Sequence, residues 1–182
     1  KEIVSAPANL YYLGKLPSSD EITISIVGTR KLTYDGGLIA KQIAKILAGR
    51  GVTIISGLAL GIDAAAHEGA LAGNGKTIAV LANGLDKIYP RQHENLGMEI
   101  LRKGGAIISE YPPGTECLPH RFLERNRIIS GLSMATVIIE APIKSGAIVT
   151  AKHALDQGRE VFVVPGPAGH PNYDGSHMLI RN

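Results

Sequence analysis

Two residue classes recur where this 182-residue chain turns from an apolar run into a helical one: bare-backbone Gly and Ser, and cations. Gly28, Thr29 and Arg30 follow ITISIV, and Ser56, Gly57 and Gly61 follow GVTII. Arg91 stands in YPRQ, and Lys144, Ser145 and Gly146 follow ATVIIEAPI. Small residues let a backbone approach an anion closely, and Arg and Lys pair with phosphate. HRFLERNRIISG sets Arg121, Phe122, Arg125, Asn126 and Arg127 on one short helix. Arg121 and Arg125 are four apart and share a face, so their like charges cost stability unless an anion answers them. Glu124 or Glu140 is one answer; a phosphate chain is the other and the favoured one. Tyr34, Tyr89, Tyr111, Phe122 and Tyr173 fall in or near the same turns. Rings that stack on bases, beside cations and bare backbone, are what a single-strand or nucleotide binder needs. A generic polar rim is the alternative, since Asp63, Asp86, Glu110, Glu116 and Glu124 share these turns.

Other chemistries fit less well. SGLALGIDAAAH places Ser56, Gly57 and Gly61 before a helix, but its glycines are four apart and do not make the dinucleotide fingerprint G-x-G-x-x-G. An anion seat and a tight turn that needs Gly for positive φ both suit it. Asp63 is expected to cap that helix, and His67, one turn on, to pair with it as a structural histidine. GNGKT at 73–77 lacks the leading Gly of a P-loop and precedes a strand instead of following one. Six His and one Cys show no ligand-like spacing, so no metal is expected. No nucleophile and base stand together.

The elements that must position these residues follow a rhythm. Apolar, β-rich runs beginning at residue 21 alternate with helical stretches: ITISIVG, VTIIS, TIAVLA, GAIISEY, ATVIIEA and EVFVVPG. Strands apolar throughout, each followed by a helix, argue for a parallel sheet covered on both faces. The fold class expected is α/β: an extended Rossmann-like, doubly wound, mostly parallel sheet of six strands. Residues 1–20 are expected to be an irregular lead-in, and 21–182 one domain. In the first helix Ile39, Ile43, Ile46 and Leu47 read as one buried stripe. Ligands in such sheets bind outside the strand carboxyl ends, near the switch in strand order.

Bulk properties agree. Apolar residues make up 45% of the chain, enough for a sizeable core. A single cysteine, Cys117, excludes an internal disulfide and suits a reducing compartment. No apolar run is long enough for a membrane span. Net charge +3 permits a nucleic-acid partner without requiring one.

Taken as an ordered set, SIVGTRKLTYDGG, ISGLALGIDAAAHEGAL, TIAVLANGLDKIYPRQHENL, GAIISEYPPGTECLPHRFLERNRIISGLS, VIIEAPIKSGAIVTAKHALDQGREVFVVPG and GSHMLI resemble the DNA-processing protein A family, also called Smf. The resemblance covers about residues 22–180. It implies binding of single-stranded DNA, protection of incoming strands in natural transformation, and loading of a RecA-type recombinase. It also implies homodimers, no nucleotide cofactor and a bacterial cytoplasm. On its motifs Arg30 of VGTR and Arg91 of YPRQ would hold phosphates; the Gly57 turn, RNR and KSGA would line the same groove. The same broad fold resembles nucleotide-cleaving phosphoribohydrolases of the "lysine decarboxylase-like" type. Those carry G-G-x-G-T-x-x-E, and PIKSGAIVTAKHA has no such Glu. A dinucleotide-dependent oxidoreductase lacks its fingerprint. A structural interaction protein would need this rim buried between copies.

Overall fold

The computed structural model describes residue 3 and residues 5–181; Lys1, Glu2, Val4 and Asn182, which belong to the two expected segments, lie outside the described residues. The elements run β1 Tyr11–Gly14, β2 Thr23–Val27, α1 Tyr34–Ala48, β3 Thr53–Ser56, α2 Ile62–Ala72, β4 Thr77–Val80 and α3 Glu94–Arg102. They continue as β5 Ala106–Ser109, α4 Pro119–Gly131, β6 Ala135–Ile138, α5 Gly146–Asp156, β7 Glu160–Val163 and α6 Asp174–Arg181. Every residue of β3, β4, β5 and β6 is buried, as continuous apolar strands between two helical layers must be.

The sheet is seven-stranded, in the order β1-β5-β4-β3-β2-β6-β7. From β2 to β7 all pairings are parallel. The lead-in expected to be irregular supplies the seventh strand: β1 pairs antiparallel with β5, Tyr11 opposite Ser109 and Gly14 opposite Ala106. At four exposed residues on a sheet edge, it has no buried face to write an alternating pattern into the chain.

The isoleucine stripe of α1 also needs correction. Its buried face is Gly36, Gly37, Ala40, Ala44 and Ala48. Ile39, Ile43 and Leu47 are only partly buried beside it, and Ile46 is 45% exposed. α1 lies against α2, and small residues at the contact let the backbones come close. The larger side chains straddle the seam.

Strand order reverses once. β2, β3, β4 and β5 step one way across the sheet; β6 returns to the other side of β2. The turns after β2 and β6 therefore emerge side by side, which makes this the switch point.

His67 does not pair with Asp63. It is fully buried, and its Nδ1 lies 2.7 Å from Thr77 Oγ1. The Thr77 hydroxyl donates to the Ile54 carbonyl at 2.7 Å, so it accepts from His67, which fixes the proton on Nδ1. Nε2 is buried without a partner. Burial, with His93 and Arg125 nearby, holds the ring's pKa down to about 3. Between about pH 6.5 and 3 the unfolded chain binds this proton and the folded one does not, so stability falls as pH falls. Urea titrations should show roughly 1–2 kcal/mol lost between about pH 6.5 and 5 through this residue. A His67→Gln variant that keeps the whole acid slope would refute the assignment.

Candidate nucleic-acid interface

The two turns at the switch point frame a cavity of about 420 Å³. Gly28, Thr29 and Arg30 come to it from the end of β2; Lys144, Ser145 and Gly146 from the start of α5. Phe122, Arg125 and Asn126 reach it from α4. Arg30 and Lys144 are exposed. Among the described residues neither has an acidic partner within ion-pair distance. The Arg30 guanidinium lies 4.5 Å from the centroid of the Phe122 ring, a cation–π contact. Asn126 ties α4 to the opposite wall, its Nδ2 donating to the Gly146 carbonyl at 3.1 Å.

The helix N-termini here are not equivalent. α1 is capped by Thr33, whose Oγ1 accepts from Gly36 N–H at 3.0 Å. At α5 no side chain caps the helix, and the Ser145 hydroxyl is buried without a partner. That leaves N–H donors and the positive end of the helix dipole open to the cavity. At α2 the expected cap is not made: no side chain caps the helix, and Asp63 bonds instead to the turn before it. Asp63 accepts from Gly57 N–H at 3.1 Å and Ala59 N–H at 3.4 Å.

The turn from Ser56 to Gly61 is thus a packing device. Ser56 is fully buried and donates to the Ile26 carbonyl. A Cβ on Gly57 would sit 2.6 Å from both terminal guanidinium nitrogens of Arg125 and from Asp63 Oδ2. Gly61 has φ +83°, and a Cβ there would meet the Thr29 carbonyl oxygen at 2.3 Å. The bare backbone admits Arg125 on one side and the Arg30 loop on the other.

The three arginines of α4 go to three different places. Arg125 is 3% exposed. It donates to the carbonyls of Val80 and Gly57, the latter at 2.7 Å, and faces Asp63 across Gly57. Burial lowers the Arg125 pKa to about 10 against the opposing pull of Asp63, and burial raises that of Asp63 against the pull of Arg125. Arg127 turns away from the cavity and grips Glu110 with both terminal nitrogens, at 2.8 and 2.7 Å. Arg121 lies over the Tyr111 ring at 5.0 Å and donates to the Glu116 carbonyl. Glu124 and Glu140, the less favoured answers to these charges, form no ion pair with them among the described residues, although Glu124 lies near enough to Arg127 to favour its charged form. Arg91, 93% exposed, borders a neighbouring cavity.

One residue that the sequence offered only as a counter-charge to the arginines holds the site together. Glu140, fully buried after β6, accepts from Thr33 N–H at 3.0 Å and from the Thr33 hydroxyl. Its backbone carbonyl accepts from Thr29 N–H at 2.7 Å. Asn172 Nδ2 donates to Lys31 O at 2.8 Å and to the Glu140 carboxylate at 3.3 Å. Both ends of the Arg30 loop are therefore pinned to the end of β6. A glutamate ending a strand gives no signal of partners 107 residues away.

A family model described as DNA recombination-mediator protein A matches residues 1–182. Protein Smf of Escherichia coli strain K12 is 47% identical over 175 residues, covering 96% of this chain and 47% of its own. The chain thus spans about half the length of that relative. The X-ray structure of DNA processing protein A from Streptococcus pneumoniae superposes with a TM-score of 0.91 at 39% identity, over 98% of this chain and 62% of that one. DNA processing protein A from Helicobacter pylori, solved for its single-stranded DNA binding mode, gives a TM-score of 0.87 at 31% identity, over 99% of this chain and 82% of that one. The same seven-strand sheet, matched from end to end, goes with sequence likeness over the full span: the chain belongs to the DNA recombination-mediator protein A family.

Proposed function

We propose that this chain binds single-stranded DNA, seating phosphates on Arg30, Lys144 and the open N-terminus of α5 and resting bases on Phe122. One observation carries the reading. Two cations without acidic partners, an uncapped helix end and an aromatic ring meet in one cavity at the switch point. Gly28 and Thr29 bring backbone close to the strand, while Asn126, Ser145 and Gly146 line the opposite wall. Arg91 and Arg121 extend the positive rim outward. Phosphates carry no base identity and rings accept any base, so binding here tolerates sequence. The single-stranded DNA binding mode of the Helicobacter pylori relative supports the assignment.

Within that reading the protein protects incoming strands during natural transformation and loads a RecA-type recombinase onto them. It acts as a homodimer in which one strand bridges two grooves and gains effective concentration. The activity is binding, without catalysis, nucleotide cofactor or metal. The phosphoribohydrolase alternative needs a glutamate in the helix after β6, and α5, GAIVTAKHALD, has none.

Fluorescence anisotropy of labelled oligo-dT across a salt series, with matched duplex as competitor, tests this. Single-strand preference with a log–log slope of about −0.7 per phosphate contact is expected. Absence of binding at low salt would overturn the reading. Phe122→Ala should weaken binding by about 1–3 kcal/mol, the scale of a lost base–ring stack. Phe122 is only partly buried, so its melting temperature should stay near that of the parent. Loss of folding instead would make the ring a core residue.

A further inference from the structure

Beside the first cavity lies a second, of about 620 Å³, that the phosphate seat does not use. The two share an aromatic wall. Tyr89 lines the second and Phe122 the first, and their ring centroids are 6.0 Å apart. The charge balance differs between them. Asp86, Glu94 and Glu116 line the second cavity with only Lys87 and Arg91 to oppose them, and Arg91 already lies 4.0 Å from Glu94. Such a lining makes a poorer phosphate seat than the first cavity, with Arg91 at its mouth left to the rim. It offers instead an aromatic wall and hydrogen-bond acceptors. Its walls are cross-tied: Gly114 N–H donates to Asp86 Oδ1 at 2.7 Å, and Asn83 Nδ2 to the Lys87 carbonyl at 2.7 Å. A preformed, partly apolar, acceptor-rich slot suits a neutral ring that donates hydrogen bonds.

We propose that the second cavity receives a nucleobase of the strand whose phosphates the first cavity holds, and that it favours bases with an exocyclic amino group over thymine. The inference rests on the single-stranded DNA reading above. The 6.0 Å between Tyr89 and Phe122 is somewhat under twice the ~3.4 Å rise per nucleotide of a stacked strand. Adjacent bases of a stretched strand can therefore take one ring each. A carboxylate accepts from the N4 amine of cytosine, where thymine presents a carbonyl oxygen. Asp86 gives one oxygen to Gly114. Glu94 and Glu116, exposed at the rim, supply the acceptors. Phe122 thus tolerates any base, and discrimination enters one nucleotide away.

Equal-length oligo-dC and oligo-dT, titrated at neutral pH against the parent chain and variants, decide it. The parent should prefer oligo-dC by about fivefold or more. In the Glu94→Gln, Glu116→Gln double variant the ratio should fall to near one, because a carboxamide can serve either base. Tyr89→Ala should weaken both oligomers together. Equal affinities in the parent, or a preference that survives the double variant, would overturn the proposal. If the Arg30→Ala, Lys144→Ala double variant loses binding while base identity and Tyr89 make no difference, the DNA reading stands and this inference alone falls. If neither oligomer binds the parent, both fall.

Discussion

Arg125→Ala should lower the free energy of unfolding by about 3–5 kcal/mol, enough to leave a marginal domain largely unfolded. The substitution removes a guanidinium that is 3% exposed and leaves the Val80 and Gly57 carbonyls without their donor. It also leaves Asp63 buried and without its opposing charge, where burial already pushes the carboxyl upward. Removing both charges should cost less than removing one, because the remaining group is then neutral and can keep its bonds from Gly57 and Ala59. The comparison is therefore Arg125→Met against Arg125→Met with Asp63→Asn, by urea denaturation. Recovery of stability in the double variant is expected. An Arg125→Ala protein that unfolds at the parent's midpoint but has lost DNA would return Arg125 to the phosphate contacts that its position in the sequence suggested.

That position misled for a physical reason. Arg121, Arg125 and Arg127 look alike in the chain because each reads as a cation on one short helix. Their fates depend on partners brought in by the sheet. Arg125 meets Gly57 and Val80, 68 and 45 positions away, because α4 crosses over the ends of β3 and β4. Arg127 meets Glu110, 17 positions back, where β5 ends. Helical spacing shows which residues share a face, and it is silent on what that face will touch. The β-αβ alternation was legible because each buried strand must be apolar along its whole length, and this leaves a mark in every segment. The alternation placed VGTR and KSGA each after a strand but not beside each other; the family resemblance put them in one groove, and the pairing of β2 with β6 is what makes their turns neighbours at the switch point. The exposed strand β1 and the alanine seam of α1 left no such mark. The turn at Gly57 was ambiguous for a related reason. A glycine that admits a phosphate and one that admits an arginine are the same residue in a sequence, and only the neighbour 68 residues on distinguishes them.

The Arg30→Ala, Lys144→Ala double variant should lose about a hundredfold or more in affinity for oligo-dT while keeping its fold. Each charge-assisted hydrogen bond to phosphate is worth roughly 1.5–3 kcal/mol, and the two side chains come from opposite walls of the cavity. Both are exposed and neither is held by an acidic partner, so the folded state gives up little when they go. Arg30 does rest on Phe122, and losing that contact uncovers the ring for a base. The single Arg30→Ala loss should therefore be partly offset, and Lys144→Ala should cost as much or more. The salt series separates the two contributions. Each removed cation should flatten the log–log slope by about 0.7, so the double variant should flatten it by about twice that. The loss should be the same for every base composition, since phosphates are identical. An unchanged slope would mean that neither residue touches the backbone. The open end of α5, with the buried Ser145 hydroxyl, would then have to hold the phosphate without them.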